Sequence, residues 1–147
     1  MQYDVKIKKL RGNAIVPTYG SEFAAGADLY ACLDEAVVIE AGETKLIPTG
    51  LAFEIPAGYA GFIYARSGLA SKRGLAPANK VGVVDADYRG EVMVALHNHG
   101  KEEQIVESGE RVAQMVIAPF VTANFVLADE LDDTVRGEGG FGSTGRK

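Results

Sequence analysis

The chain has 147 residues, a formal net charge of −5 and a pI near 5.0, which suits one domain with a sizeable core and excludes a broad cationic footing for a nucleic-acid duplex or an anionic membrane. Cys32 is the only cysteine, so an internal disulfide and a cysteine-built zinc site are excluded, the thiol reads as a small core residue, and a reducing, cytoplasmic setting is expected. The first ten residues alternate Val5 and Ile7 with lysines instead of forming a signal-peptide core, and no run approaches the roughly twenty apolar residues of a membrane helix.

Short apolar or alternating runs recur along the chain between Gly, Pro, Asn and Asp, the rhythm of an all-β sandwich or barrel. Strands are expected at 5–10, 36–39, 45–48, 51–55, 61–65, 81–84, 91–98, 111–118 and 124–127, with Pro56-Ala57-Gly58 as the turn of a hairpin. One segment reads as helical, residues 67–73, with Ser67 as N-cap and Gly74 as the stop. The expected architecture is a single domain, 1–147: a distorted, jelly-roll-like β-core over 1–133 and a mobile Gly-rich arm over 134–147.

Several segments carry groups suited to chemistry. Residues 25–30, Ala-Gly-Ala-Asp-Leu-Tyr, approach Asp28 through small side chains, a pattern that suits a tight turn or a carboxylate beside a hydrated cation. Residues 65–68, Ala-Arg-Ser-Gly, sit where a strand meets the helix, so Ser67 and the first helical N–H groups can meet a phosphate, or Ser67 can simply cap. From 81 to 90 a β-branched strand runs into Asp85-Ala86-Asp87-Tyr88-Arg89-Gly90 and reads as a hairpin. A carboxylate at the end of a strand can orient a water as general base; the same Asp85 can close an Asx turn. Tyr88 is a platform for a sugar or half-buried packing. His97 and His99, two apart on one strand, share a face but lack a third metal ligand and read as ordinary strand residues. Residues 109–114 open another strand, on which alternation puts Gln114 opposite Arg111 and Ala113. The tail from Arg136 onward joins five glycines to Arg136, Ser143, Thr144 and Phe141. Flexible N–H groups, hydroxyls and a guanidinium suit phosphate, and the ring suits a base, although Gly-rich ends are also commonly plain soluble termini.

Taken together and in this order, residues 25–30, 65–70, 81–90, 109–115 and 136–145 resemble the five motifs of the trimeric deoxyuridine triphosphatase (dUTPase) family, over nearly the whole chain. The resemblance implies a hydrolase that splits dUTP into dUMP and pyrophosphate through water attack on the α-phosphorus, limiting dUTP and supplying dUMP. It implies Asp85 as the base that activates the water, with Gln114 beside it and the α-phosphate. Asn79, with backbone groups near Val84, would read the uracil edge, and Tyr88 would stack under the deoxyribose and exclude a 2′-hydroxyl. Arg66, Ser67 and Gly68 would hold phosphates, as would Arg136, Gly142, Ser143 and Thr144, while Phe141 covers the uracil. Asp28 would bind a Mg2+ ion through water. The partners implied are dUTP and two further copies of the chain, in a homotrimer whose sites lie at subunit interfaces. A dCTP deaminase-related enzyme, a nucleotide-sensing regulatory module and a purely structural jelly roll are the competing readings.

Overall fold

The computed structural model describes residues 2–145, and its regular secondary structure is strands with one short helix. In chain order these are β1 (Lys6–Lys9), β2 (Thr18–Tyr19), β3 (Ala27–Tyr30), β4 (Val37–Ile39), β5 (Thr44–Pro48), β6 (Leu51–Glu54) and β7 (Tyr59–Tyr64). A single helix, α1 (Ser67–Arg73), precedes β8 (Leu75–Pro77), β9 (Gly82–Val84), β10 (Met93–Asn98), β11 (Gln104–Val106) and β12 (Arg111–Pro119). No helix among the described residues is long and apolar enough to cross a membrane.

All recorded strand pairs are antiparallel. The largest sheet runs β2-β3-β12-β7-β9; the others run β5-β10-β8, β1-β6 and β11-β4. Their inner faces supply one core, in which Leu29, Ile39, Ile47, Leu51, Leu75 and Leu96 are wholly buried. Alternation of inward and outward residues is clear on β10, where Val94, Leu96 and Asn98 point in and Met93 points out. Asn98 is buried without penalty because its amide donates to the Ile39 and Glu102 carbonyls and its oxygen accepts from Gly100 N–H. Cys32 lies in the same core, its thiol donating to Asn13 Oδ1 at 3.1 Å, and burial pushes its pKa up.

Several expectations are corrected. The 56–58 turn exists, with Tyr59 N–H donating to the Pro56 carbonyl and Gly58 at φ 85°, but β6 and β7 pair with different partners, so it is a corner between sheets. Likewise 81–90 is no hairpin, because β9 pairs with β7 while the chain crosses over to join β10 to β5 and β8. Residues 25–30 contain strand β3, whose Ala27, Asp28 and Leu29 are all buried and so hide the period-two signal. The short strands β2, β8 and β11 also carry too few residues to show a pattern. Residues 124–127 form no strand and are exposed. Helix α1 ends at Gly74, in the left-handed region at φ 66°, as expected. Its N-cap, however, is Arg66 with no side-chain cap bond.

Candidate active site

Two clefts and a detached arm hold the residues singled out by the sequence. The first cleft, of about 380 Å³, is lined by Asn79, Val84, Asp85, Tyr88, Ile63 and Met93 among others. Asn79 heads a tight turn in which Lys80 N–H donates to the Pro77 carbonyl, Val81 N–H donates to the Asn79 carbonyl, and Lys80 takes φ 64°. Beyond it β9 delivers Asp85 to the rim, where Tyr88 N–H donates to the Asp85 carbonyl at 3.1 Å and the Arg89 guanidinium ties the turn further by donating to the Ala86 and Tyr88 carbonyls. The Asp85 carboxylate is exposed and makes no Asx-turn bond, so it is left for a ligand or water. Val84 turns its side chain into the core and can offer only backbone. Tyr88 is 45% exposed, and its hydroxyl donates to the Glu91 carbonyl.

The second cleft, about 170 Å³, is lined by Asp28, Arg66, Ser67, Gly68 and Gln114. Asp28 on β3, Gln114 on β12 and Tyr64 on β7 stand level across three adjacent strands. Asp28 is only 7% exposed, and its charge is balanced by Arg66 Nε on Oδ1 at 2.8 Å and Arg111 Nη1 near Oδ2 at 3.5 Å. Gln114 Nε2 donates to the Ala65 carbonyl, which leaves its oxygen as the free acceptor. The first main-chain N–H bonded inside α1 is that of Ala70, so those of Ser67, Gly68 and Leu69 have no intrahelical partner.

Strict alternation along the strand puts Arg111 on the face opposite Gln114. A register shift between Arg111 and Ala113 places Val112 and Ala113 both in the core, resets the alternation and turns Arg111 toward the same Asp28. A bulge of this kind has no signature in the sequence beyond two successive small apolar residues. His97 and His99 stack edge to face at 4.4 Å, one bonded to the Thr44 hydroxyl and the other to the Lys80 ammonium. Among the described residues no three His, Cys, Asp or Glu side chains gather to hold a metal.

The two clefts do not meet within one chain. Val84 stands opposite Gly61 on β7 and Gln114 opposite Tyr64, so Asp85 and Gln114 lie about 13 Å apart along the strand direction and roughly two strand spacings apart across it. Residues 121–138 are exposed, and Phe125 is 95% accessible. The arm's recorded hydrogen bonds are internal turns: Arg136 Nε to the Gly139 carbonyl, Ser143 N–H to Gly140, Gly145 N–H to Gly142. Phe141, fully exposed, sits at φ 49° and is followed by Gly142 at φ 88°. Gly142, Ser143 and Thr144 line neither cleft; Arg146 and Lys147, the end of the expected arm, lie outside the described residues.

An antiparallel jelly-roll-like body with an amide, a tyrosine ring and an exposed carboxylate in one cleft and a guanidinium and a helix start in another has the equipment of a nucleotide-handling protein. A family model for dUTPase matches residues 12–145, and the chain belongs to the dUTPase family. It is 57% identical over 131 residues to the deoxyuridine 5′-triphosphate nucleotidohydrolase of Desulfitobacterium hafniense strain DCB-2, covering 88% of this chain and 87% of that one. The corresponding protein of Syntrophotalea carbinolica is 49% identical over 141 residues, 96% of each. Among solved structures, the Staphylococcus bacteriophage 80alpha dUTPase with dUpNHpp superposes with a TM-score of 0.85 at 31% identity, over 99% of this chain and 100% of that one. A mutant dUTPase from phage phi11 of S. aureus, described as revealing the coordination of a structural Mg(II) ion, superposes at 0.79 with 26% identity, over 87% and 98%.

Proposed function

We propose that this chain hydrolyses dUTP to dUMP and pyrophosphate in sites shared between the subunits of a homotrimer. The observation that carries the reading is the pairing of an amide, a ring and an unengaged carboxylate in one cleft with guanidiniums and a helix start in the other. Family membership and the names of the relatives support the substrate. The Asn79 amide matches the donor and acceptor groups of a uracil edge, and the half-exposed Tyr88 ring suits stacking under a deoxyribose. Asp85 takes a proton from water as its oxygen attacks the α-phosphorus. The bond from that phosphorus to the bridging oxygen breaks, and pyrophosphate leaves with the electron pair. Gln114 orients the water through its free oxygen, while Arg66, Ser67 and Gly68 hold the departing phosphates in line.

Oligomerisation follows from distance. One water must be within reach of both Asp85 and Gln114, yet they are separated by about 13 Å along the sheet alone in a single chain, so a neighbour supplies the second cleft. The exposed Val121, Phe125, Val126 and Leu127 support the same conclusion, since each large apolar side chain gains about 1.5–3 kcal/mol when covered. On this reading residues 134–147 close over the nucleotide, with Phe141 on the uracil and Arg136, Gly142, Ser143 and Thr144 on the phosphates. The second cleft also fits a hydrated Mg2+. Its single carboxylate, already balanced by two guanidiniums, suits accepting hydrogen bonds from metal-bound water more than direct ligation. When bound with the triphosphate, the ion supplies charge neutralisation. The buried, protonated Cys32 thiol supports residence in the reducing cytoplasm.

Deamination of a cytosine is disfavoured by one contact. The glutamate that lines the base cleft, Glu91, has its carboxylate committed to Gly50 N–H and Arg11. The decisive experiment measures pyrophosphate release from dUTP, dTTP, dCTP and UTP. Strong preference for dUTP is expected, and comparable turnover of UTP would refute the proposed reading of the cleft.

A further inference from the structure

Tyr88 does not stand on its own turn alone. Its ring folds back across the next residue but one, and its hydroxyl donates to the Glu91 carbonyl at 3.0 Å. Between them lies Gly90, and a Cβ built there would meet the Tyr88 hydroxyl and would lie 2.7 Å from Cζ and 3.1 Å from Cε2. The ring therefore rests on the bare Cα of Gly90, because any side chain would lift it. The latch at Glu91 is itself fixed from behind. Glu91 Oε1 accepts from Gly50 N–H at 3.0 Å and pairs with Arg11 Nε at 3.4 Å. The next residue is held as well, with Val92 N–H donating to the Leu51 carbonyl and the Val92 carbonyl accepting from Thr49.

We propose that Gly90 and Glu91 are positioning residues that set the selectivity of this protein for 2′-deoxyribose, Gly90 by seating the Tyr88 ring and Glu91 by latching its hydroxyl to the Gly50 segment. The inference rests on the reading of Tyr88 as the group that excludes a 2′-hydroxyl. A ring lifted from its seat no longer fills the space a 2′-hydroxyl would need, so ribose is admitted, while the groups that hold phosphate and water are untouched. Gly90 has no side chain to offer a ligand, and the Glu91 carboxylate, although at the cleft, is committed to Gly50 N–H and Arg11, so each acts through Tyr88.

The test compares kcat/KM for dUTP and UTP in four variants of the full-length protein, with circular dichroism to verify folding. Tyr88→Ala examines the underlying reading: if the dUTP-to-UTP ratio does not fall, Tyr88 is no sugar gate and this inference fails with it. Given a fall there, Gly90→Ala is expected to lower the ratio at least ~10-fold, mainly through improved KM for UTP, the scale of a lost steric contact in a pocket. Glu91→Ala should lower it severalfold, and Glu91→Gln, which keeps an acceptor for Gly50 N–H, should restore it. An unchanged ratio in Gly90→Ala, or equal loss of turnover on both nucleotides, overturns the proposal. Should Gly90→Ala fail to fold, Glu91→Ala against Glu91→Gln decides: a shared ratio between those two overturns it, and rescue by glutamine supports it.

Discussion

Asp85 directly follows Val84, the last residue of β9, and Tyr88 N–H closes the turn after it onto the Asp85 carbonyl. The carboxylate takes no part in that turn, so it is dispensable for folding, and in the proposed mechanism it is the group that removes the proton. Asp85→Asn should keep the shape of the cleft while turnover falls by at least ~100-fold, the usual cost of losing a general base. Isothermal titration with a non-hydrolysable dUTP analogue should show little change; weakened binding with an intact single-turnover rate would contradict the role. Cys32 gives a second, independent test. Burial raises its pKa above the ordinary 9.0, so the folded chain keeps the thiol proton at a pH where the unfolded chain has released it. The thiol's contribution is thus full below the unfolded value and is lost as pH rises through the folded one. Denaturant midpoints should decline above pH 9 in the parent and decline less in Cys32→Ala; parallel curves would show that another group governs alkaline unfolding.

At the level of elements, what the sequence made legible was what repeats or what chemistry forces. The β10 run shows its alternation openly, and Gly74 marks a helix end because only a residue at ease with positive φ fits there. Strand β3 was hidden because its polar residue points inward and is neutralised by Arg66 and Arg111, partners drawn from distant parts of the chain. The sheet to which β9 belongs was equally unreadable, since pairing depends on tertiary placement and not on the local pattern. The candidate site residues are linked in the sequence by order and type alone, and their division between two clefts emerges only from strand register. Among the described residues of the arm the hydrogen bonds are its own internal turns. Deleting residues 136–147 should consequently spare folding and assembly while depressing catalysis through loss of a closing segment. Circular dichroism and sedimentation of the shortened protein test the first half. An unfolded or dissociated product would make the segment structural.

For the whole molecule, the proposed sharing of sites predicts that two inactive proteins repair each other. When Asp85→Asn chains are refolded with an equal amount of chains lacking 136–147, a site works if its base comes from a shortened chain and its arm from a full-length one. Random closure of rings makes this true of about a quarter of sites. Activity near that fraction of the parent is expected. No recovery, with mixed assemblies verified by mass, would rule out shared sites. The distance between Asp85 and Gln114 along one sheet also has a genetic consequence. A chain carrying both defects is not merely idle in a cell that also makes the parent chain, for it occupies positions in its neighbours' sites. With equal expression, independent monomers would retain half their output, whereas here about a quarter of sites would escape, so the doubly altered allele should behave as dominant.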